Sequence, residues 1–252
     1  MLCPPKITIS HLSKRFAMGV DVLRDLNITI QSGEFISFLG PSGCGKSTLL
    51  RLLANLEKPT EGTITFDNNP QLNELAFLFQ ESTLLPWLTV SGNISMPLRL
   101  RKVPREERTL IAEKLADLVG LKHALDYYPR QLSGGMKMRA SLARSLSLNP
   151  QLLLLDEPFG ALDAISRNRL NEELHAIHYA EKWTAILVTH SIQEAVFLSD
   201  RVILLDSQPG RIHKIIPVDL PDERPRSIRE SNQYQHIVAE INASLSEIPI
   251  QI

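Results

Sequence analysis

Eight residues beginning at Gly40 have the types and the spacing that bind nucleotide phosphates. They are Gly40, Pro41, Ser42, Gly43, Cys44, Gly45, Lys46 and Ser47, and Thr48 follows them. Small residues allow successive backbone N–H groups to turn toward phosphate, and a following helix directs its positive end at the same point. The Lys46 ammonium suits the β- and γ-phosphates, and the Ser47 hydroxyl suits Mg²⁺. We therefore expect this phosphate loop, together with Thr48, to bind a nucleoside triphosphate.

Two carboxylates follow directly after four consecutive leucines. Residues 152–155 predict a buried strand, and Asp156 and Glu157 come at its carboxyl end. Open α/β sheets bind their ligands at that end of their strands. We expect Asp156 to act at Mg²⁺ and Glu157 to polarise the water that attacks the phosphate. The alternative, ordinary acids in a surface loop, explains poorly why they follow four leucines.

Two further polar side chains end predicted strands. Gln80 follows residues 76–79, and His190 follows residues 185–189. Either residue alone is more often structural. Beside the two carboxylates, however, His190 is expected to sense the γ-phosphate, and the Gln80 amide to reach Mg²⁺ or the attacking water. The expected catalytic side chains are Gln80, Glu157 and His190, and the expected metal ligands are Ser47, Gln80 and Asp156.

A second glycine turn, Ser133-Gly134-Gly135, precedes a helix predicted over residues 136–146. Its hydroxyl and unobstructed backbone N–H groups suit an anion. The alternative is a helix cap with glycine flexibility, which needs no ligand. A second phosphate site within one chain would be redundant, because the phosphate loop already encloses the nucleotide. We therefore expect two chains to meet head to tail, with each nucleotide between the phosphate loop of one chain and the Ser133 turn of the other.

The elements that must position these residues alternate along the chain. The phosphate loop lies between a predicted strand and a predicted helix, which disfavours a glycine turn that binds nothing. From residue 82 to about 149 the pattern is helical, broken early by Pro86, Pro97 and Pro104. Alternating strands and helices predict an α/β fold with a mainly parallel sheet. The predicted lobes are an α/β core of residues 1–81 and 150–252 and an inserted helical lobe of residues 82–149.

Composition disfavours several classes of protein. The 252 residues carry 27 basic and 28 acidic side chains, a net charge of −1, so we expect no nucleic-acid partner. The two cysteines, Cys3 and Cys44, fit a reducing compartment, because a disulfide at Cys44 would distort the phosphate loop. No apolar run is long enough to cross a bilayer, and the first residues lack the core of a signal peptide. Any role in transport would therefore require separate membrane-spanning chains.

The ordered motifs resemble those of the ATP-binding subunits of ATP-binding cassette (ABC) transporters over almost the whole chain. The resemblance rests on residues 40–47, Gln80, residues 132–135, Asp156-Glu157, residues 161–163 and His190. It implies a RecA-like P-loop NTPase fold with antiparallel N-terminal strands, and ATP and Mg²⁺ as ligands. It further implies that Gln80 couples the two lobes, that Ala161-Leu162-Asp163 crosses a dimer interface, and that Phe16 stacks on adenine. Without the resemblance, a single phenylalanine would be assigned to the core.

A finer resemblance is to importer ATPases of the nitrate, sulfonate, taurine and bicarbonate group. It rests on residues 84–90, Met136, residues 194–202 and residues 209–212. It implies import of a small anion or an organic sulfur or nitrogen compound through transmembrane permease subunits, with a substrate-binding protein as an indirect partner. Two copies, or one copy and a paralogue, would lie peripherally at the cytoplasmic face of the membrane. Lys137-Met138, Ser191 and the short segment 70–75 depart from the group, which leaves the substrate open.

Alternatives remain for the whole chain and for one loop. A soluble ABC-type ATPase of DNA repair or translation usually carries two cassettes or a long coiled-coil insertion, and a phosphate-loop kinase has no use for the Ser133 turn. Pro86-Trp87 is predicted with equal weight as an exposed contact for a permease helix or as a buried loop anchor. We also expect a bulky thiol reagent to modify Cys44 and inactivate the protein, with Mg-ATP protecting it.

Overall fold

The computed structural model describes residues 4–16, 19–67, 75–160 and 162–249. Three N-terminal strands form an antiparallel sheet in the order β2-β1-β4. They are β1 (Ile7–Arg15), β2 (Asp21–Ile30) and β4 (Glu61–Phe66). Along β1, Ile7, Ile9, Leu12 and Lys14 are buried while the other residues are partly or fully exposed, as in a sheet covered on one face. The polar halves of β1 and β2 pair across irregularities at which strict alternation is lost.

A six-stranded sheet in the order β5-β6-β7-β3-β8-β9 forms the second layer. Its strands are β3 (Phe35–Leu39), β5 (Leu75–Leu78), β6 (Leu152–Asp156), β7 (Thr184–Val188), β8 (Arg201–Leu205) and β9 (Ile212–Pro217). All neighbouring pairs are parallel except β8 with β9. Every residue of β3, β6 and β7 is buried, as expected for strands covered on both faces. The predicted fold class, a mainly parallel sheet with antiparallel N-terminal strands, is confirmed.

Helices connect and cover the strands. They are α1 (Lys46–Leu53), α2 (Val90–Leu100), α3 (Arg105–Leu118), α4 (Gly134–Leu146), α5 (Ala164–Glu181), α6 (Ile192–Leu198) and α7 (Asn232–Ser246). Between β5 and β6, the regular elements in the described part of the chain are α2, α3, α4 and two short 3-10 turns. The division into a core of residues 1–81 and 150–252 and a helical lobe of residues 82–149 stays a prediction.

The four leucines of β6 divide between two hydrophobic cores. Leu152 and Leu154 pack in the cluster that contains β1, β2 and α1, whereas Leu153 and Leu155 pack on the other face, in the cluster that contains α4 and α6. All four side chains are fully buried. Burial on both faces explains why this strand carries no polar residue before Asp156. It also holds the carboxyl end of β6 in one position.

Pro97 lies inside α2, whereas the sequence predicts a break there. The backbone N–H of Arg101 donates to the Pro97 carbonyl at 3.2 Å, so the helix continues past the proline. Proline removes one N–H donor from the helix. Ile94 and Leu98 on the same helix are buried in the core, and this tertiary packing offsets the loss. Pro104, by contrast, directly precedes α3, where a proline is well tolerated.

Candidate functional site

The phosphate loop joins β3 to α1, as predicted. Its glycines Gly43 and Gly45 have φ angles of 81° and 97°, in the left-handed region that favours glycine. Lys46 is the first residue of α1, and its Nζ donates to the carbonyl oxygens of Gly40 and Pro41, each at 2.8 Å. The ammonium group therefore lies over the loop where phosphates would bind. The side chains of Ser42, Ser47 and Thr48 are exposed or half-buried around it.

Two neighbouring segments hold the phosphate loop in place. A Cβ added at Gly45 would lie 2.6 Å from Leu23 Cδ2 on β2. A Cβ added at Gly210, which precedes β9, would lie 2.1 Å from the Cys44 carbonyl oxygen. The Gly210 N–H also donates to the Val22 carbonyl at 2.8 Å. Sequence reasoning noted Gly210 only within a segment shared with relatives, and its contact with the loop depends on a tertiary approach that no local pattern reveals.

The Cys44 side chain packs in the hydrophobic core, and its sulfur lies 3.8 Å from Lys46 Nζ. The residue is 1% exposed and belongs to the hydrophobic cluster beneath the loop. Burial raises the pKa of the thiol, and the nearby Lys46 charge opposes that shift only in part. With the side chain buried, any contact of Cys44 with phosphate would be made through its backbone. The expected inactivation by a bulky thiol reagent, with protection by Mg-ATP, stays a prediction, and the burial and raised pKa of the thiol disfavour it.

Ser47 and Asp156 form the candidate metal pair. Ser47 Oγ donates to Asp156 Oδ1 at 2.9 Å, which connects the start of α1 with the end of β6. Burial raises the pKa of Asp156, while the Ser47 hydrogen bond and the nearby cations oppose the shift. Mg²⁺ prefers a few protein oxygens together with phosphate oxygens and water. The two side chains supply oxygens of that kind beside the phosphate loop, so the donor set fits Mg²⁺.

Gln80, Glu157 and His190 converge at the carboxyl edge of the parallel sheet. Gln80 Nε2 donates to Glu157 Oε2 at 3.4 Å, and His190 Nδ1 lies 3.3 Å from the same oxygen. The three residues follow β5, β6 and β7, which are consecutive neighbours in the sheet. Gln80 and His190 are exposed and Glu157 is half-buried, so the group is open to a ligand. The structure therefore brings together the three side chains expected to be catalytic.

The Ser133 turn forms a separate site on the same chain. Ser133 Oγ accepts a hydrogen bond from the Met136 N–H at 3.3 Å and caps α4. Gly134 is exposed and Gly135 is half-buried. The turn lines a surface pocket of about 460 Å³. Its other lining residues are Met136, Arg139, Leu162, Asp163 and Ser166, and none belongs to the phosphate loop.

Three further predicted positions lie at or near the surface. Phe16 is 43% exposed at the end of β1, so it is not a core residue. In the loop predicted to cross a dimer interface, Ala161 lies outside the described residues and Leu162 is buried. Asp163 accepts hydrogen bonds from the N–H groups of Ile165 and Ser166 and caps α5. These hydrogen bonds lower the pKa of Asp163.

Comparison with known proteins decides the family. A family model described as "ABC transporter" matches residues 23–160, more than half of the chain. The chain belongs to the ABC transporter family. As a member of that family it binds ATP and hydrolyses it, which confirms the predicted activity.

Two curated relatives of this ABC ATPase are named for transport, one of them for import. The aliphatic sulfonates import ATP-binding protein SsuB of Bacillus licheniformis is 46% identical over 228 residues, which are 88% of each chain. The bicarbonate transport ATP-binding protein CmpC of Synechococcus elongatus is 46% identical over 231 residues, 87% of this chain but 35% of CmpC. The predicted resemblance to importer ATPases is thus confirmed, and the chain corresponds to about a third of the longer CmpC protein.

Solved structures agree with the fold. The dimeric ATP-binding cassette MJ0796, in a post-hydrolysis state bound to ADP and Pi, superposes with a TM-score of 0.75 at 30% identity. The match covers 85% of this chain and 100% of that cassette. Within the described residues, no helix is both long enough and apolar enough to cross a membrane.

Proposed function

We propose that this ABC ATPase powers an importer for a small anion or an organic sulfur or nitrogen compound, and that its named site residues act as follows. One observation carries the proposal: Gln80 and His190 both contact the Glu157 carboxylate, at the edge of the sheet where Ser47 meets Asp156. Relatives named for sulfonate import and bicarbonate transport support the substrate class.

Different groups of this chain act in phosphate binding, proton transfer and orientation of the attacking water. The N–H groups of residues 40–48 and the Lys46 ammonium bind and orient the phosphates. The Glu157 carboxylate accepts a proton from the attacking water, and His190 donates a hydrogen bond to the γ-phosphate. Gln80 orients the water beside Glu157 Oε2. The side chains of Ser47, Gln80 and Asp156 would hold Mg²⁺, which would supply positive charge beside the phosphate oxygens.

The proposed working unit is a head-to-tail pair of chains. The Ser133 turn faces a pocket that contains no phosphate-loop residue, so its hydroxyl is available to the nucleotide of a second chain. Asp163 lines the same pocket, which places the predicted interface loop beside the turn. The MJ0796 cassette is itself dimeric. Either two copies or one copy with a paralogue would complete both sites.

The proposed contact for the permease is the loop of residues 84–90. Trp87 is 69% exposed and Pro86 is exposed, which favours the partner contact over the buried anchor. The buried Asn93 holds the loop from beneath: its Oδ1 accepts from the Leu85 N–H at 2.7 Å, and its Nδ2 donates to the Leu85 and Leu88 carbonyls at 3.1 Å. Such a loop keeps its shape while presenting an aromatic side chain. The assembly would lie at the cytoplasmic membrane face and receive substrate through a binding protein.

The test is isolation of the assembly in its ATP-bound state. We expect Glu157→Gln to retain nucleotide binding, lose turnover and accumulate closed dimers, because only the proton acceptor is removed. Tagged E157Q, purified from detergent-solubilised membranes with Mg-ATP, is expected to retain a stoichiometric protein with several membrane spans. Glu181→Gln, at the exposed end of α5, is the matched control.

Two results would contradict the proposal. Turnover of E157Q near that of the wild type would remove Glu157 from catalysis. Soluble partners alone would favour an ATPase of DNA repair or translation.

A further inference from the structure

Lys14 is a buried cation with two partners on one segment that is distant in sequence. The residue lies on β1 and is 9% exposed. Its Nζ donates to Glu57 Oε2 at 3.0 Å and to the Lys58 carbonyl oxygen at 2.8 Å. A buried ammonium is costly unless it is paired and hydrogen-bonded, and both conditions are met here. The position of Lys14 Nζ is therefore fixed by its partners.

The same ammonium group contacts the ring of Phe16. Lys14 Nζ lies 4.9 Å from the ring centroid, within the range of a cation–π interaction. Phe16 stands just after β1 and is 43% exposed, so much of the ring stays open to a ligand. An exposed aromatic side chain at a strand end has little else to restrict its rotamer. The Lys14 contact thus supplies a restraint that the sequence alone does not reveal.

Glu57 and Lys58 connect this contact to the phosphate-binding helix. The N–H groups of Leu56 and Glu57 donate to the Arg51 carbonyl on α1, at 2.9 and 3.2 Å. Since α1 begins at Lys46 in the phosphate loop, Lys14 joins the aromatic ring to the far end of the helix that binds phosphate. The distance between a base site at Phe16 and the phosphate loop is then held by a continuous set of contacts.

We propose that Lys14 is a positioning residue that orients the Phe16 ring to receive the adenine base of ATP. The inference rests on the proposed role of Phe16 in base stacking. Fixing the ring before the ligand arrives removes an ordering cost from binding. We expect the effect to fall mainly on the base, since Lys14 Nζ donates to Glu57 and Lys58 and not to atoms of the phosphate loop. A purely structural ion pair would instead affect the protein irrespective of the ligand.

The test compares a ligand that has a base with one that has none. Binding of ATP and of inorganic tripolyphosphate is measured by calorimetry for the wild type, Lys14→Met, Phe16→Ala and the double variant. We expect K14M to weaken ATP binding by about 3- to 10-fold, the size of a partly desolvated cation–π contact, and to leave tripolyphosphate binding within about 2-fold. In the F16A background, K14M should cause no further loss of ATP affinity.

Control variants separate positioning from folding. Lys14→Arg keeps a cation for both Glu57 and the ring and is expected to retain most ATP affinity. Lys58→Met changes an exposed side chain whose backbone carbonyl alone contacts Lys14, so it should behave as wild type. If K14M does not fold, Glu57→Gln replaces it in the test. This variant weakens the interaction of Lys14 with residue 57 but leaves the Lys14 side chain in place. It should then reduce ATP affinity more than tripolyphosphate affinity.

Several outcomes would overturn the inference. One is that K14M weakens the binding of ATP and of tripolyphosphate by the same factor. Another is that K14M weakens ATP binding as much in the F16A background as in the wild type. The third is that F16A binds ATP with wild-type affinity. In each of these cases ATP binding and hydrolysis by the wild type would leave the proposed ATPase function intact. A wild-type chain that binds no ATP would refute that function instead.

Discussion

The backbone of Cys44 is part of the phosphate loop, whereas its side chain packs in the hydrophobic core. Its thiol is 1% exposed, and burial raises its pKa. Thiolate is the reactive form of cysteine, so a raised pKa leaves less of it at neutral pH. The sequence places Cys44 correctly in the loop but says nothing about the direction of its side chain.

We therefore predict slow alkylation of Cys44 in the folded protein. In a Cys3→Ser background, the rate with a small thiol reagent at pH 7.5 should be far below that of a free cysteine, and it should rise with pH and on unfolding. Mass spectrometry of timed samples measures this rate. Alkylation in the folded state as fast as in denaturant would show that the thiol is open to solvent.

At the residue scale, the convergence of the three candidate catalytic side chains is predicted from sequence, and the reason is topological. Gln80, Glu157 and His190 each follow an aliphatic strand, and parallel strands bring their carboxyl ends to one edge. The Asn93 support beneath the Trp87 loop was not predicted. An asparagine in a helical pattern carries no signal that its amide will bind a loop that precedes the helix.

At the scale of elements, the phosphate loop is packed against a segment distant in sequence. Gly210 approaches Cys44 so closely that a Cβ would lie 2.1 Å from the carbonyl oxygen. A contact of that length with backbone cannot persist, so one of the two segments must move. The geometry of the phosphate-binding N–H groups thus depends on the turn before β9.

We predict that Gly210→Ala weakens nucleotide binding by about tenfold or more and destabilises the fold by about 1–3 kcal/mol, the usual cost of overpacking. Gly160→Ala is the control, because its added Cβ would meet its nearest atom at an ordinary 3.6 Å. Calorimetric ATP titration and thermal melting measure both effects. Wild-type affinity in G210A would mean that the loop tolerates displacement.

The sequence predicts the ends of a strand well where both faces of the strand are buried, and poorly where only one face is buried. Strands β6 and β7 match the predicted runs of residues 152–155 and 185–189 closely. In β1 and β2, irregularities in the pairing interrupt the alternation, so the sequence pattern marks the ends of these strands poorly. The break expected at Pro97 does not occur, because tertiary packing of α2 outweighs one missing hydrogen bond.

At the scale of the whole molecule, the Ser133 turn and the phosphate loop belong to different sites of the same chain. The pocket at the turn is lined by α4, α5 and the residues just before α5. The phosphate loop of one chain would need a Ser133 turn opposite it, and a second chain is the simplest source of that turn. The sequence predicted this arrangement from redundancy alone, and a test in trans distinguishes it from a helix cap.

We predict that Ser133→Arg abolishes ATP hydrolysis and leaves ATP binding by the isolated monomer nearly unchanged. Mixing S133R with Glu157→Gln should restore part of the activity, because one of the two sites in the mixed dimer then has both an intact turn and an intact carboxylate. Steady-state phosphate release measures the recovery. If monomer binding fell as sharply as hydrolysis, or if mixing restored nothing, the composite site would be refuted.

The backbone at Glu157 has a consequence for the evolution of stability in this protein. Its φ is 45°, a left-handed conformation that side chains with a Cβ adopt only at a cost of about 1 kcal/mol or more. Glycine adopts this backbone conformation without that cost, but it has no carboxylate. We predict that Glu157→Gly, although inactive, melts about 2–4 °C above the equally inactive Glu157→Ala in differential scanning calorimetry. Equal melting temperatures would mean that no strain is stored at this residue. The catalytic carboxylate is thus kept at a position where selection for thermal stability alone would favour its loss.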